Sequence, residues 1–245
     1  MKPRVLLVGG TDSSGGAGLS RDVVTVTRLG AEAALAVTSV TAQSDIAFNG
    51  ACHLGAEHVA AQIGAAGSVG AVKTGMLVDA ATVCKVAEAL PDVPLVVDPV
   101  LASSSGHALL DNEGIGALLA RLLPRATLVT PNLPELALLC QTLGLGQDVP
   151  LADRAQALLA LGCGAVLVKG GHAKNGRICE DRLYTGPGTP PRRFRGPRFP
   201  GTMRGTGCRL ASGIAASLAQ GFDLPAAVVR SRALLVAEFA GLSRP

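Results

Sequence analysis

The sequence predicts an α/β fold with a mostly parallel central sheet, and three observations carry that. Short apolar runs alternate with helix-length segments along the chain. The runs are continuous and not period-two, the pattern of strands buried on both faces. Polar and glycine-rich residues gather where the runs end, which is where ligands bind in such sheets.

Residues 5–8 read as the first buried strand, running into Gly9-Gly10-Thr11-Asp12-Ser13-Ser14-Gly15-Gly16-Ala17-Gly18. A helix follows over about 19–29, closed by Gly30. The loop fails as a G-x-G-x-x-G fingerprint, because Arg21 holds the third place, and as a Walker A loop, because no Gly-Lys-Ser/Thr follows. Asp22 is expected in the first turn of that helix, as dipole compensation or as a carboxylate reaching over the sheet edge to a substrate hydroxyl. A strand at 35–41 delivers Gln43, an amide with donor and acceptor side by side. It is either an ordinary loop amide or the reader of a heterocycle edge.

Helices over about 56–66 and 80–90, the second capped by Asp79, flank a strand at 71–74. A strand at 95–97 ends in Asp98-Pro99, and the polar loop 103–106 leads to a helix at about 112–123 and a strand at 127–129. Asn132 and Glu135 open the next helix with capping-box spacing. Glu135 is alternatively a carboxylate for a hydrated Mg²⁺. A helix at 153–161 and a strand at 165–168 bring Lys169-Gly170-Gly171-His172 to a strand end, where the lysine meets a phosphate or solvent. The four histidines show no metal spacing, so no zinc site is expected. Strands at 178–184 and 192–199 enclose a turn-rich segment. Arg192, Arg193, Arg195, Arg198 and Arg204 form a basic run, either a solvated edge hairpin or a flap near polyphosphate.

Arg204-Gly205-Thr206-Gly207-Cys208 opens directly into an apolar helix at 208–219, and a helix at 225–240 ends the pattern. Gly205 and Gly207 let backbone lie against a ligand. The first helical N–H groups lack intrahelical partners, and the dipole adds positive charge there. This is the build of an anion hole, or of a plain helix start. A thiol at that position, Cys208, is expected to have a lowered pKa and react fast.

Apolar residues at 48% and charged residues at 16% make the 245-residue chain globular, and no linker or repeat divides it, so one domain over 1–245 is expected. Aromatics at 2% count against base stacking on single-stranded nucleic acid. Basic and acidic residues, 22 − 18 = +4, suit small anions. No apolar run reaches membrane-spanning length, and Met1-Lys2-Pro3-Arg4 leads into a strand and not a signal peptide. The six cysteines contain no Cys-x-x-Cys pair, so free thiols in a reducing cytoplasm are expected.

Seven stretches occur in register: the 10–18 loop, Thr41-Ala42-Gln43, Lys73-Thr74-Gly75-Met76-Leu77, Asp98-Pro99-Val100, Thr130-Pro131-Asn132-Leu133-Pro134-Glu135, Val168-Lys169-Gly170-Gly171-His172 and Gly205-Thr206-Gly207-Cys208. Together they resemble the hydroxymethylpyrimidine/phosphomethylpyrimidine kinases of thiamine biosynthesis, in the ribokinase-like superfamily. The resemblance covers almost the whole chain. It implies a three-layer α/β/α sandwich with eight or nine strands, ATP with Mg²⁺, and a homodimer. It implies that Asp22 bonds the hydroxymethyl group, that Gln43 reads the aminopyrimidine edge, and that Gly10, Met76 and Val100 line the ring. Asn132 and Glu135 would organise Mg²⁺ and the nucleotide, Lys169 the phosphates, and Gly205, Thr206, Gly207 and Cys208 the anion hole. A pyridoxal kinase and a non-catalytic pyrimidine- or nucleotide-binding relative are the alternatives.

Three departures stand out. Ser103-Ser104-Ser105-Gly106-His107 replaces the usual Ala-Lys-Ser-Gly-Asp, Met203-Arg204 replaces Thr-His, and Ser13 replaces proline. Arg204 at the anion hole is expected to grip a phosphate already on the substrate, favouring the phosphomethyl compound.

Overall fold

A computed structural model describes residues 2–44, 47–103, 106–171, 177–199 and 203–242. Ser104, Ser105 and His172, named above, lie outside them.

The first strand, β1 (Arg4–Asp12), shows why the apolar runs are continuous. Val5, Leu6, Leu7 and Val8 are all fully buried, so alternate residues enter cores on opposite faces. After it come α1 (Gly18–Arg28), β2 (Glu32–Gln43), β3 (Phe48–His53), α2 (Ala56–Ala65), β4 (Ala71–Thr74), α3 (Ala80–Ala89) and β5 (Leu95–Val97). Then follow α4 (Asn112–Ala117), β6 (Leu128–Val129), α5 (Leu133–Thr142), α6 (Leu151–Leu159), β7 (Val166–Val168), β8 (Ile178–Tyr184), β9 (Arg192–Pro197), α7 (Thr206–Ala219) and α8 (Leu224–Leu242).

The strands form one sheet in the order β3-β2-β1-β4-β5-β6-β7-β8-β9. The six from β2 to β7 in that order are parallel, while β3, β8 and β9 are antiparallel at the two ends. Leu6, Val8, Val72 and Val97 pack with Val59, Ile63, Val83 and Leu136 on one face. Val5, Leu7, Val96 and Leu128 pack with Leu210, Ile214 and Val228 on the other. This is the expected three-layer sandwich, and each such aliphatic side chain contributes about 1.5–3 kcal/mol on burial.

Three local readings change. No element was expected over residues 48–53; β3 there is an edge strand whose sequence Phe-Asn-Gly-Ala-Cys-His has no core-facing alternation, with most side chains exposed. The helix expected over 112–123 is α only to Ala117, then a π turn at Leu118–Leu122 and a 3-10 turn at Leu123–Arg125 containing Pro124, which has no N–H to continue an α ladder. Asp22 is the fifth residue of α1 and not in its first turn, because α1 begins at Gly18.

The carboxyl ends of the six parallel strands share one edge. β1 has β2 on one side and β4 on the other, so the winding reverses there, the position where ligands bind in open α/β sheets. α7 lies across β1, β4 and β5 with its N-terminus at that edge.

Candidate active site

Gly205 sits at the start of α7 with φ of +69°, the left-handed region that glycine tolerates. A Cβ there would stand 2.6 Å from the Gly16 carbonyl oxygen, so the lip of the helix lies directly on the 12–18 loop. Among the described residues no side chain caps α7. The first-turn N–H groups of Thr206, Gly207 and Cys208 therefore stay available to an anion.

Lys169, just past β7, donates to Asp98 Oδ1 at 2.8 Å and lies 3.6 Å from Glu135 Oε2. A Cβ on Gly207 would be 3.1 Å from the Lys169 Nζ and 3.8 Å from Asp98 Oδ2. Three strand ends thus deliver a cation and two carboxylates to the helix start. Burial alone would lower the Lys169 pKa, but Asp98 and Glu135 outweigh it and hold the ammonium charged. Burial would raise Asp98, but Lys169 and Lys73 hold it below its ordinary value. Burial pushes Glu135 up against the pull of Lys169. Thr130 Oγ1 donates to Asp98 Oδ1 at 3.2 Å, fixing the carboxylate.

Asn132 and Glu135 form a complete capping box. Asn132 Oδ1 accepts from the Glu135 N–H at 2.8 Å, and Glu135 Oε2 accepts from the Asn132 N–H at 2.7 Å. The cap and the place beside Lys169 coexist in one side chain.

Lys73 in β4, like Asp98, carries no expected role from its place in the sequence. It is 1% exposed and bonds Asp22 Oδ2 at 2.7 Å. Ser212 of α7 donates to Asp22 Oδ1. The signal was present: a lysine inside a four-residue buried strand requires a partner. The Asp22 carboxylate, expected at a substrate hydroxyl, is 1% exposed and bonded to Lys73 and Ser212. Burial would lower Lys73, yet the carboxylates of Asp22 and Asp98 keep it charged.

Cys208 also departs from expectation. Burial pushes its thiol up to about 11 against the pull of Lys73, with Asp22 and Asp98 adding to the rise. The Gly18 N–H, a hydrogen-bond donor to it, and the helix dipole do not offset that rise. A fast-reacting thiolate is therefore corrected to a protonated thiol.

Gly10 and Met76, expected to line the ring, meet: Met76 Sδ would be 3.0 Å from a Cβ on Gly10. Val100 is partly exposed two residues past Asp98, in a turn where its N–H donates to the Asp98 carbonyl. Gln43 ends β2, with its backbone N–H and carbonyl both bonded to Ser13 Oγ at 2.8 Å. Its side chain bonds Asp12, which leaves donor and acceptor capacity on the amide. Ser13, in the proline position of the resemblance, thus holds the β2 end.

The basic run is an edge hairpin. Glu180 on β8 pairs with Arg182, Arg193 and Arg195, and Arg198 donates to the Gly170 and Gly171 carbonyls. Arg204 is bound to Asp12, with Nη2 to Oδ2 at 3.0 Å. The Arg204 guanidinium expected at a substrate phosphate is thus paired with a carboxylate.

A profile described as phosphomethylpyrimidine kinase matches residues 12–240. A hydroxymethylpyrimidine/phosphomethylpyrimidine kinase of Rhizobium meliloti (strain 1021) is 39% identical over 244 residues, covering 98% of this chain and 91% of the relative. The crystal structure of phosphomethylpyrimidine kinase from Clostridium difficile 630 superposes with a TM-score of 0.80 at 30% identity, covering 97% and 99% of the two chains. The pyridoxal kinase from Staphylococcus aureus in complex with pyridoxal gives a TM-score of 0.82 at 27% identity, covering 95% and 86%. That kinase has also been solved with ADP and with AMP-PCP. The described residues of the seven motifs gather toward one edge of a nine-stranded sheet, and the profile spans nearly all of them. The chain belongs to the phosphomethylpyrimidine kinase family.

Proposed function

We propose that this protein transfers the γ-phosphoryl group of ATP to 4-amino-5-hydroxymethyl-2-methylpyrimidine, to its monophosphate, or to both. The observation that carries this is the convergence of Lys169, Asp98 and Gly207 at the uncapped start of α7. Phosphoryl transfer passes through a loose transition state and needs positioning and charge neutralisation more than covalent chemistry. The N–H groups of Thr206, Gly207 and Cys208 meet the charge that develops on the transferred group. Lys169 adds a positive charge beside them, and Asp98 holds its ammonium in place. Gln43 reads the aminopyrimidine edge, while Gly10, Met76 and Val100 contact the ring. Cys208, protonated at neutral pH, stands beside the attacking hydroxyl as a neighbour and not as a base. Asp22 acts from below by holding Lys73 and Ser212.

Magnesium suits Asp98 and Glu135, which present hard carboxylate oxygens. Among the described residues no group of three or more His, Cys, Asp or Glu could hold a metal alone. The donor set therefore fits an ion held chiefly by nucleotide phosphates and water, with Glu135 and Asn132 behind it. Such an ion supplies charge neutralisation on the phosphates. A cytoplasmic homodimer completes this reading, with exposed Leu35 and Val40 on β2 as apolar surface that a second copy could cover. Light scattering in solution checks it.

An ATP-coupled assay with hydroxymethylpyrimidine, its monophosphate and pyridoxal tests the reading. Turnover of either pyrimidine is expected to exceed that of pyridoxal. Gln43→Leu should raise KM for the pyrimidine by about tenfold, from the loss of a hydrogen-bonded pair, and leave KM for ATP unchanged. Turnover of pyridoxal alone would make the chain a pyridoxal kinase, and nucleotide binding with no turnover would make it a binding relative.

A further inference from the structure

Arg204 joins three separate segments. Its Nη2 bonds Asp12 at 3.0 Å, and its Nη1 bonds Ser14 Oγ at 2.8 Å and the Ser44 carbonyl at 3.2 Å. Asp12 ends β1, Ser14 belongs to the loop between β1 and α1, Ser44 follows Gln43 at the end of β2, and Arg204 itself precedes the anion hole. The guanidinium lies over Gly16, where an added Cβ would be 3.1 Å from Nη1.

Asp12 gathers this contact with others. Its Oδ1 accepts from the Ser14 N–H and Ser14 Oγ, and its Oδ2 accepts from the Ala17 N–H at 2.9 Å. Burial would raise the Asp12 pKa, but the Ser14 and Gln43 bonds and the Arg204 charge hold it below its ordinary value. From behind, the Arg204 carbonyl accepts from Arg209 Nη1 at 2.6 Å, and Arg209 Nε pairs with Glu238 of α8 at 3.1 Å. Residue 204 is therefore fixed on both sides, by side chain to the loops and by backbone to the helices.

We propose that Arg204 is a positioning residue that sets the separation between the ring-reading end of β2 and the anion hole at α7. The proposal rests on the reading that Gln43 contacts the pyrimidine. A paired guanidinium with three acceptors suits this task, since its planar fork loses little freedom per bond. A substrate held by Gln43 at one end and reacting at Gly207 at the other needs that span fixed, because small misplacements of the reacting atoms slow the transfer. The role differs from phosphate gripping in one respect: it serves the hydroxymethyl and phosphomethyl compounds alike.

The test is kinetic and structural. Arg204→Met should raise KM for both pyrimidines by similar factors of about tenfold, from loss of a charge-assisted contact, with KM for ATP within about twofold. Asp12→Asn should act likewise, and the double variant should be no worse than the poorer single one, since both break one connection. Arg204→Lys, which keeps the charge but lacks the fork, should recover only part. An effect confined to the phosphorylated pyrimidine would place Arg204 on the substrate phosphate and overturn the proposal, as would additive losses. Amide exchange at residues 12–17 and 41–44, read without substrate, should quicken in Arg204→Met. Unchanged exchange would overturn the proposal even in an active enzyme. Quickened exchange in Arg204→Met, with a wild type that turns over neither pyrimidine, would uphold the contact and defeat the functional reading.

Discussion

Lys169 lies so close beneath Gly207 that a Cβ added there would stand 3.1 Å from its Nζ. The obstacle is the end of a flexible side chain, so the fold can yield while the site cannot. Gly207→Ala should displace the ammonium from the helix start and lower kcat by tenfold or more, with melting temperature nearly unchanged. Gly205→Ala meets backbone instead: the Gly16 carbonyl oxygen at 2.6 Å, with φ at +69°. A strained conformation of that kind costs about 1–3 kcal/mol, so this variant should lose several degrees of melting temperature as well as activity. A matching thermal loss in both variants would remove the distinction.

The buried pair of Lys73 and Asp22 gives a second prediction. Lys73→Met leaves the Asp22 carboxylate buried beside Ser212 alone, and breaking such a pair costs about 3–5 kcal/mol. Adding Asp22→Asn removes the stranded charge, so the double variant should recover much of that loss by denaturant unfolding. Kinetics then separate stability from function: if the pair only supports the fold, the double variant should regain activity with its stability. A double variant as unstable as Lys73→Met would show that packing, not charge, holds the site floor.

How much of this was legible in the chain differs from residue to residue. The parallel strands were, because Val5, Leu6, Leu7 and Val8 fill cores on both faces and leave an unbroken apolar run. The capping box was, because Asn132 and Glu135 interact three residues apart. β3 was not, since an exposed edge strand has no burial pattern to display. The environment of Cys208 was not, because the helix dipole is local but the charged groups that act on it, Lys73, Asp22 and Asp98, are distant in sequence. Arg204 was read by its charge alone, while its partner Asp12 stands 192 residues away.

The thiols predict an alkaline limit. Burial raises both Cys208 and Cys163 to about 11 from an ordinary 9.0. The folded chain then keeps protons that the unfolded chain releases. Their stabilising effect is whole below pH 9 and is lost as pH rises toward 11, with a slope of at most about 1.4 kcal/mol per unit for each thiol. Cys163→Ala and Cys208→Ala should each flatten the fall in stability across that window. Peptide-resolved alkylation at pH 7.5 should find Cys208 slower than free cysteine, and a faster rate would restore the thiolate. Turnover by Cys208→Ala within about twofold of wild type, far above the hundredfold loss usual for a missing base, would assign the thiol to packing.

Glu135 caps α5 and stands beside Lys169 through the same carboxylate, and two substitutions separate the cap from the proposed nucleotide role. Its Oε2 accepts from the Asn132 N–H at 2.7 Å while lying 3.6 Å from Lys169 Nζ. A glutamine oxygen can accept the same hydrogen bond, so Glu135→Gln preserves the capping box and removes only the negative charge. Glu135→Ala removes both and should cost about 1 kcal/mol more in stability. If the charge organises the nucleotide and its magnesium, Glu135→Gln should melt close to wild type, lose tenfold or more in kcat/KM for ATP, and need more Mg²⁺ for half-maximal rate. The alanine variant should show the same kinetic loss with an added thermal one. Measuring melting temperature and Mg²⁺ titrations on both gives the decision. Parallel losses of stability and turnover, with the Mg²⁺ dependence unchanged, would leave Glu135 as the cap of α5 and nothing more.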